Sequence, residues 1–264
     1  MPELPEVETV RRLAERTLRG RRIAAVAVAD DRLVCDRVAP RAIAAALRGA
    51  TVTAVRRRGK HFWLELDRRP WPLFHLGMSG WFHAYRDGER PRFWKIEIAT
   101  EDGQRLAMTD PRRLGRIRLR HEPLAESPLA GLGPDAFDEL PTASALGHLF
   151  RRRATPVKAA LLDQTLLAGV GNWIADEVLY QAAIDPRRPA SGLSSAEVAR
   201  LRRALSAVIR HAVKVGADDA RFPRTWLFHH RWGKKKDART ARGERIVHLE
   251  VGGRTTAFVP ERQR

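Results

Sequence analysis

The spacing of apolar residues along this chain changes twice, and each change predicts a different kind of element. In the opening stretch MPELPEVETVRRLAERTL, Val7, Val10, Leu13 and Leu18 recur at helical spacing, with Pro5 suited to the first helical position. From there to about residue 120 the pattern shortens. RIAAVAVAD, TVTAVRRRGKHFWLELD, PLFHLGMSGWFHAY, FWKIEIAT, QRLAMTD and GRIRLRH alternate or cluster apolar residues between Gly, Pro and Asp breaks, as strands do. One short helix, PRAIAAALRGA, interrupts them and ends at Gly49. Many short strands and few helices predict an antiparallel sandwich or barrel over residues 1–120.

Residues 121–150, beginning HEPLAESPLAGLGPDAFDELP, are rich in Pro, Gly and acid and read as a linker leading into a first helix. Beyond it, ASALGHLFRRR, PVKAALLDQTLLAGVGNWIADEVLYQAA and SSAEVARLRRALSAVIRHAVKVG carry spacings near 3.6, so residues 151–216 form a helical domain. Ser194 and Ser195 precede Glu197 as cap candidates. In the tail, residues 217–264, RIVHLEVGGRTTAFVP alternates again and Gly252-Gly253 reads as a hairpin turn. The fold class expected is α+β.

Charge narrows the partners. Among 264 residues, Lys and Arg number 49 against 31 Asp and Glu, a formal net charge of +18, which has the sign that condenses onto a polyanion. No apolar stretch approaches the roughly 20 residues that span a bilayer, so nucleic acid and not membrane is the expected partner. A single cysteine, Cys35, excludes an internal disulfide and any Cys-rich metal site, and no histidine pair has HExxH spacing. MPELPEVE has neither a basic leader region nor an apolar core, so a soluble intracellular protein, cytoplasmic and nucleoid-associated or nuclear in a eukaryote, is expected.

Three motifs carry candidate chemistry, each with a plainer reading beside it. In LLAGVGNWIADEVL, Gly169, Gly171 and Asn172 separate one apolar helix from another starting near Trp173. Such a joint presents free amides to a phosphate, although a plain helical hairpin has the same pattern. In HLGMSG and TDPRRLGRIRL, turns hold Met78, Arg112 and Leu114. Apolar side chains beside Arg suit wedging into a base stack, although each alone reads as core packing. RRRGKH is a charge run of the kind that faces solvent, with Lys60 set apart by Gly59 as a phosphate contact.

Taken in order, PELPEVETVRR, RRRGKHFWLEL, HLGMSG, TDPRRLG, GLGPDAF, LLDQTLLAGVGNWIADEVLY and GGRTTAFVP resemble the formamidopyrimidine-DNA glycosylase family, which is related to endonuclease VIII. The resemblance runs from Pro2 to Gln263. It implies an N-terminal β-sandwich, a helix-two-turn-helix domain with a DNA-binding finger, and a monomer acting on damaged double-stranded DNA in base excision repair. It also implies site residues: Pro2 as nucleophile, Glu3 as proton donor, and Lys60, Asn172 and Arg254 as phosphate contacts, with Lys158 a weaker one; Glu6, near the helix start, is read as orienting the amine. Met78, Arg112 and Leu114 match the family's void-filling triad, and Glu177 a structural or lesion-pocket carboxylate.

The proline behind Met1 then acquires a purpose. Once Met1 is removed, the secondary amine of Pro2 has an ordinary pKa of about 7.7 to 8.0, so a neutral, nucleophilic fraction exists near pH 7. With Met1 retained, that nitrogen is a tertiary amide and cannot attack. A rival function, a non-catalytic DNA-binding module, explains the charge and the helical joint but leaves Pro2 and Glu3 idle. An RNA-processing role fits the wedge residues less well, because they suit duplex unstacking.

Three departures from the family pattern stand out. Leu114 replaces the usual phenylalanine. Arg239, Arg242, Val259 and Arg262 occupy the positions of the four-cysteine zinc finger, so a metal-free finger of the plant-type branch is expected, with no cofactor. The segment ADDARFPRT is short where 8-oxoguanine-preferring members carry a longer loop, so weak 8-oxoguanine excision is expected beside stronger action on formamidopyrimidines, further-oxidised guanines or oxidised pyrimidines.

Overall fold

A computed structural model describes residues 2–233 and 237–264, in two compact units meeting between Gly131 and Leu132. The linker expected over 121–150 is thus divided: 121–131 pack with the first unit through a short 3-10 turn at Leu129–Gly131, and the remainder opens the second.

The first unit starts with helix α1 (Leu4–Leu18), then β1 (Ile23–Val28), α2 (Pro40–Leu47), β2 (Val52–Arg58), β3 (His61–Leu66), β4 (Trp71–His75), β5 (Trp81–Tyr85), β6 (Trp94–Thr100), β7 (Arg105–Thr109) and β8 (Arg116–Arg120). They form two four-stranded antiparallel sheets, β1-β6-β7-β5 and β2-β3-β4-β8. One core joins the sheets, with Val26, Ile98, Met108 and Phe82 from the first and Val55, Leu64, Phe74 and Ile117 from the second. Phe62, Phe74 and Phe82 meet at ring distances of 5.0 to 5.3 Å, filling the middle of that core. The same core takes Val7, Val10, Ala14 and Leu18 from α1 and Ile43 and Leu47 from α2. The sandwich expected from the strand spacing is the one observed.

The second unit contains α3 (Ala143–Arg151), α4 (Val157–Leu162), α5 (Asn172–Ala182), α6 (Ser195–Lys214) and a hairpin of β9 (Val247–Val251) and β10 (Arg254–Phe258). Ser194 is the cap of α6, in a capping box with Glu197. Gly252 and Gly253 both lie in the left-handed region, φ 59° and 70°, which is what a two-residue hairpin turn matched to strand twist requires. The helical joint differs from expectation. α4 ends at Leu162, well before Gly169, because the Asp163 carboxylate takes the backbone N–H and hydroxyl of Thr165 at 2.9 and 2.7 Å and offers the chain a turn instead.

Lys158, read as a phosphate contact, and Glu177, read as a structural or lesion-pocket carboxylate, both lie in the interior of this unit. Lys158 is fully buried on α4, 2.6 Å from Asp176 of α5, and donates to Thr255 O and Thr256 Oγ1 of β10 at 3.1 and 2.7 Å. It therefore cannot serve as the expected phosphate contact: its charge is directed inward. Asp176 also accepts from Arg231 at 2.6 Å and from Ala257 N at 3.0 Å, so one buried carboxylate joins α4, α5, β10 and the segment before the hairpin. Glu177 is likewise fully buried, with Oε1 accepting from Gln181 Nε2 and Oε2 from Phe228 N, both at 2.8 Å. Both oxygens accept from the chain's own donors and the side chain is closed off from solvent, which favours the structural reading of Glu177.

Burial raises the Glu177 pKa to about 7, against an ordinary value of 4.5. The folded protein therefore holds a proton there that the unfolded chain releases, and stability contributed below pH 4.5 is lost as pH rises through about 7. Glu177→Gln, with the Gln181 amide turned to accept, should abolish that slope and gain on the order of 2–3 kcal/mol relative to wild type above pH 7. Urea unfolding at a series of pH values measures it; a parallel pH profile for variant and wild type contradicts it.

Candidate active site and nucleic-acid interface

The first unit places its candidate catalytic groups at the start of α1. Glu3 is the N-cap residue, its carbonyl accepting from Val7 N at 3.0 Å, and its own N–H donates to Glu6 Oε2 at 2.9 Å. Pro2, half-buried, is the residue immediately before that cap. Pro2, Glu3 and Glu6 are thus brought to one helix end. Met1, whose removal the nucleophile requires, lies outside the described residues. Burial first, and the neighbouring Glu3 charge second, push the Glu6 pKa to about 7, so this carboxyl exchanges a proton near neutrality.

The helix cannot readily shift. Leu4, Val7, Val10, Ala14 and Leu18 are all within 1 % of full burial, and Glu8 receives Arg11, Arg12 and Arg57 at 2.9, 2.8 and 3.2 Å. Arg57 comes from β2, so α1 is tied to the sheet by charge as well as by apolar packing.

Gly59 and Lys60 form the two-residue turn between β2 and β3, Arg58 pairing with His61, and Gly59 has φ 57° as that turn needs. Beneath Lys60, His61 and His75 are cross-strand partners with ring centroids 4.7 Å apart. Burial, together with Lys60, Arg118 and, for His61, the neighbouring imidazole, lowers their pKa values to about 3 and about 4. Both rings are neutral at pH 7. His75 Nδ1 accepts from Gly77 N at 3.2 Å, which puts the ring's proton on Nε2. Sequence reading missed this pair; the facing histidines in GKH and FHLG were its only signal.

The two wedge turns meet. A Cβ on Gly77 would lie 2.4 Å from the Leu114 carbonyl carbon, and Gly77 has φ 62°, so glycine alone permits this approach. Buried Asp110 fixes the pair, accepting from Ser79 Oγ at 2.6 Å and Gly115 N at 2.7 Å. Met78, Arg112 and Leu114 are left exposed on the two turns, Met78 and Leu114 at 40 % and 39 %.

In the second unit, Asn172 is the first residue of α5, and its Nδ2 donates to Thr255 O at 3.0 Å. Arg254 is exposed at the start of β10, one residue away. The structure therefore brings Asn172 and Arg254 together at a helix N-terminus, whose amides and dipole favour an anion. Gly252 backs against α4, where an added Cβ would lie 2.9 Å from Ala159 Cβ.

The positions matching zinc ligands do other work. Arg239 donates to Gly243 O at 2.8 Å, and Val259 is buried with its N–H on Gln263 Oε1 at 2.8 Å. Arg262 lies over the Tyr180 ring and donates to Glu244 at 3.2 Å; Glu244 also accepts from Tyr180 Oη at 2.8 Å and Thr240 Oγ1 at 2.9 Å. Neither guanidinium nor valine can ligate zinc, and among the described residues no three His, Cys, Asp or Glu converge to hold a metal. The residues present do not fit that ion.

Comparison with known proteins places the chain. Residues 1–117 match the formamidopyrimidine-DNA glycosylase N-terminal domain, and residues 132–223 the formamidopyrimidine-DNA glycosylase H2TH domain. A formamidopyrimidine-DNA glycosylase of Arabidopsis thaliana is 40 % identical over the whole chain and 71 % of its own length. That of Paracoccus denitrificans is 42 % identical over 84 % of this chain and 81 % of its own. Among solved structures, Lactococcus lactis Fpg in complex with DNA containing an abasic site superposes with a TM-score of 0.86 at 26 % identity, each chain covered fully. The same enzyme bound to DNA carrying N7-benzyl-Fapy-dG gives 0.86 at 27 %, again with full coverage of both. Two matched domains, relatives 40 and 42 % identical over most of their lengths and a shared fold establish that this chain belongs to the formamidopyrimidine-DNA glycosylase family of DNA-repair enzymes.

Proposed function

We propose that the protein is a bifunctional glycosylase and AP lyase that removes oxidised bases from duplex DNA through a covalent bond to Pro2. The observation that carries this reading is the placement of Pro2 one residue before the cap of a rigidly held helix, with Glu3 and Glu6 at the same end. The positive end of the helix dipole disfavours an ammonium there and so enlarges the neutral amine fraction. Glu6, titrating at about 7, can take the proton the amine must lose.

In the reaction, the prolyl nitrogen bonds to C1′ of the deoxyribose as the N-glycosidic bond breaks, and the departing base is protonated from solvent. Glu3 protonates the ring oxygen as the ring opens, and loss of the nitrogen proton completes a cationic iminium. That electron sink acidifies C2′; removal of a C2′ proton expels the 3′ phosphate, and a second elimination expels the 5′ phosphate. Lys60, Asn172 and Arg254 are assigned the phosphates around the lesion. Met78 and Leu114 fill the space of the extruded base while Arg112 addresses its former partner.

The finger is read as metal-free and of plant type. The Glu244 hub and the 40 % identity to the Arabidopsis protein over the whole of this chain support this. Substrate preference is read from the segment between α6 and Trp226. It is compact, with a 3-10 turn at Asp219–Arg221 and Phe222 buried against Trp173, Trp226 and Phe228, which supports the absence of an extended cover over 8-oxoguanine.

Wild-type protein should form a borohydride-stable complex with abasic-site duplex, and Pro2→Gly should reduce its yield about tenfold or more at equal time. Equal trapping by the variant contradicts the role of Pro2. Single-turnover rates across a lesion panel should rank formamidopyrimidines and oxidised pyrimidines above 8-oxoguanine opposite cytosine; fast 8-oxoguanine release refutes the preference. Overnight treatment with a zinc chelator should leave both trapping and the melting temperature unchanged, whereas Glu244→Ala should cost roughly 1–3 kcal/mol in unfolding. Chelator-induced loss of activity contradicts the metal-free finger.

A further inference from the structure

The turn carrying Arg112 and Leu114 is held at two places. Asp110 secures its base, as described, and also accepts from Arg112 N at 3.3 Å. The second anchor is at its apex. Arg113 lies in the left-handed region at φ 57°, unusual for a residue with a side chain. Its guanidinium reaches back to Asp31 in a two-pronged contact, Nε to Oδ2 at 2.9 Å and Nη2 to Oδ1 at 3.1 Å.

Asp31 belongs to the connection between β1 and α2 and is only 6 % exposed. Its carboxylate also accepts from Lys95 Nζ of β6 at 2.9 Å and from the N–H groups of Leu33 and Val34 at 3.2 and 3.3 Å. A backbone bond from Ile117 N to Val34 O at 2.7 Å ties the same two segments again, just beyond the turn. An exposed ion pair by itself fixes little. Here the carboxylate is buried, immobilised by two backbone donors and a second cation, and it meets a planar fork that fits only one orientation. Bonds to Arg113 and Lys95 hold its pKa well below the usual carboxylate range, so the anchor is charged at any working pH.

Within the reading that Arg112 and Leu114 enter the duplex, we propose that Asp31 is a positioning residue for the wedge. Through Arg113 it fixes the left-handed apex, so that the residues on either side are presented outward, and it thereby sets how strongly the base opposite the lesion is discriminated. The Arg113 side chain, half-exposed, is correspondingly committed to Asp31. Released, it would become one more mobile cation beside the phosphates, adding affinity without selectivity.

The test compares wild type with Asp31→Asn and, independently, Arg113→Lys, which keeps the charge but loses the fork. Each variant's melting temperature is checked first, so that Arg113→Lys reports if Asp31→Asn fails to fold. The ratio of single-turnover excision rates opposite cytosine and adenine should fall about fivefold or more in both, while affinity for undamaged duplex stays within about twofold of wild type or rises. For Asp31→Asn the salt dependence of that affinity should steepen by about one phosphate contact. The fluorescence rise of 2-aminopurine placed beside the lesion, which reports unstacking, should shrink in parallel. Folded variants with wild-type ratios and unstacking overturn the proposal, as does an equal loss of rate opposite every base. Wild-type protein that excises from none of these duplexes overturns the proposed function instead.

Discussion

Everything at the candidate site depends on α1 being immovable. Its inward face is closed into the core of the sandwich through Val7, Val10, Ala14 and Leu18, each burial contributing about 1–3 kcal/mol according to size. The Glu8–Arg57 pair adds direction: apolar packing tolerates a small slide or rotation of a helix, whereas a nearly buried carboxylate facing a nearly buried guanidinium from β2 does not. With the helix fixed, the residue before its cap is fixed too. The same burial raises Glu6 to about 7, so the packing that places Pro2 also sets a carboxyl that exchanges a proton near neutrality at the same helix end.

The second unit applies the same device to a different end. Asp176 holds two cations and a backbone N–H in an apolar interior, an arrangement that contributes little net stability compared with well-packed apolar residues. Its value is geometric: β10 is held against α4 and α5, and with it Arg254 beside Asn172. Around the finger, Glu244 gathers Tyr180, Thr240 and Arg262, linking α5 to the hairpin and to the C-terminal residues. Several hydrogen bonds and the small cluster of Tyr180, Leu227, Ile246, Ala257 and Val259 join these segments collectively.

The period of the apolar residues made most of the architecture legible. It located α1, every strand of the sandwich, α6 with its Ser194 cap, and the Gly252-Gly253 hairpin, because those features are local. What it misplaced depends on distant partners. Lys158 looks like any helical lysine until Asp176, eighteen positions on, is folded against it. The early end of α4 was hidden because Asp163 acts through its side chain, and LLDQTLLAGVG keeps helical apolar spacing through a turn. Similarly, HEPLAESPLAG has linker composition, yet it packs with the first unit. Asp31 and Asp110 carried no signal as anchors, since carboxylates in loops are ordinary and only the arginine and amides they meet make them exceptional.

The central claim is that the nitrogen at the start of α1 is the atom that joins the DNA. Peptide mapping by tandem mass spectrometry, on the complex trapped by hydride with an abasic duplex, tests it most directly. The account requires the reduced sugar on the N-terminal peptide, at the Pro2 nitrogen, with Met1 gone. An adduct on Lys60 or any other lysine, with an unmodified N-terminal peptide, would contradict it.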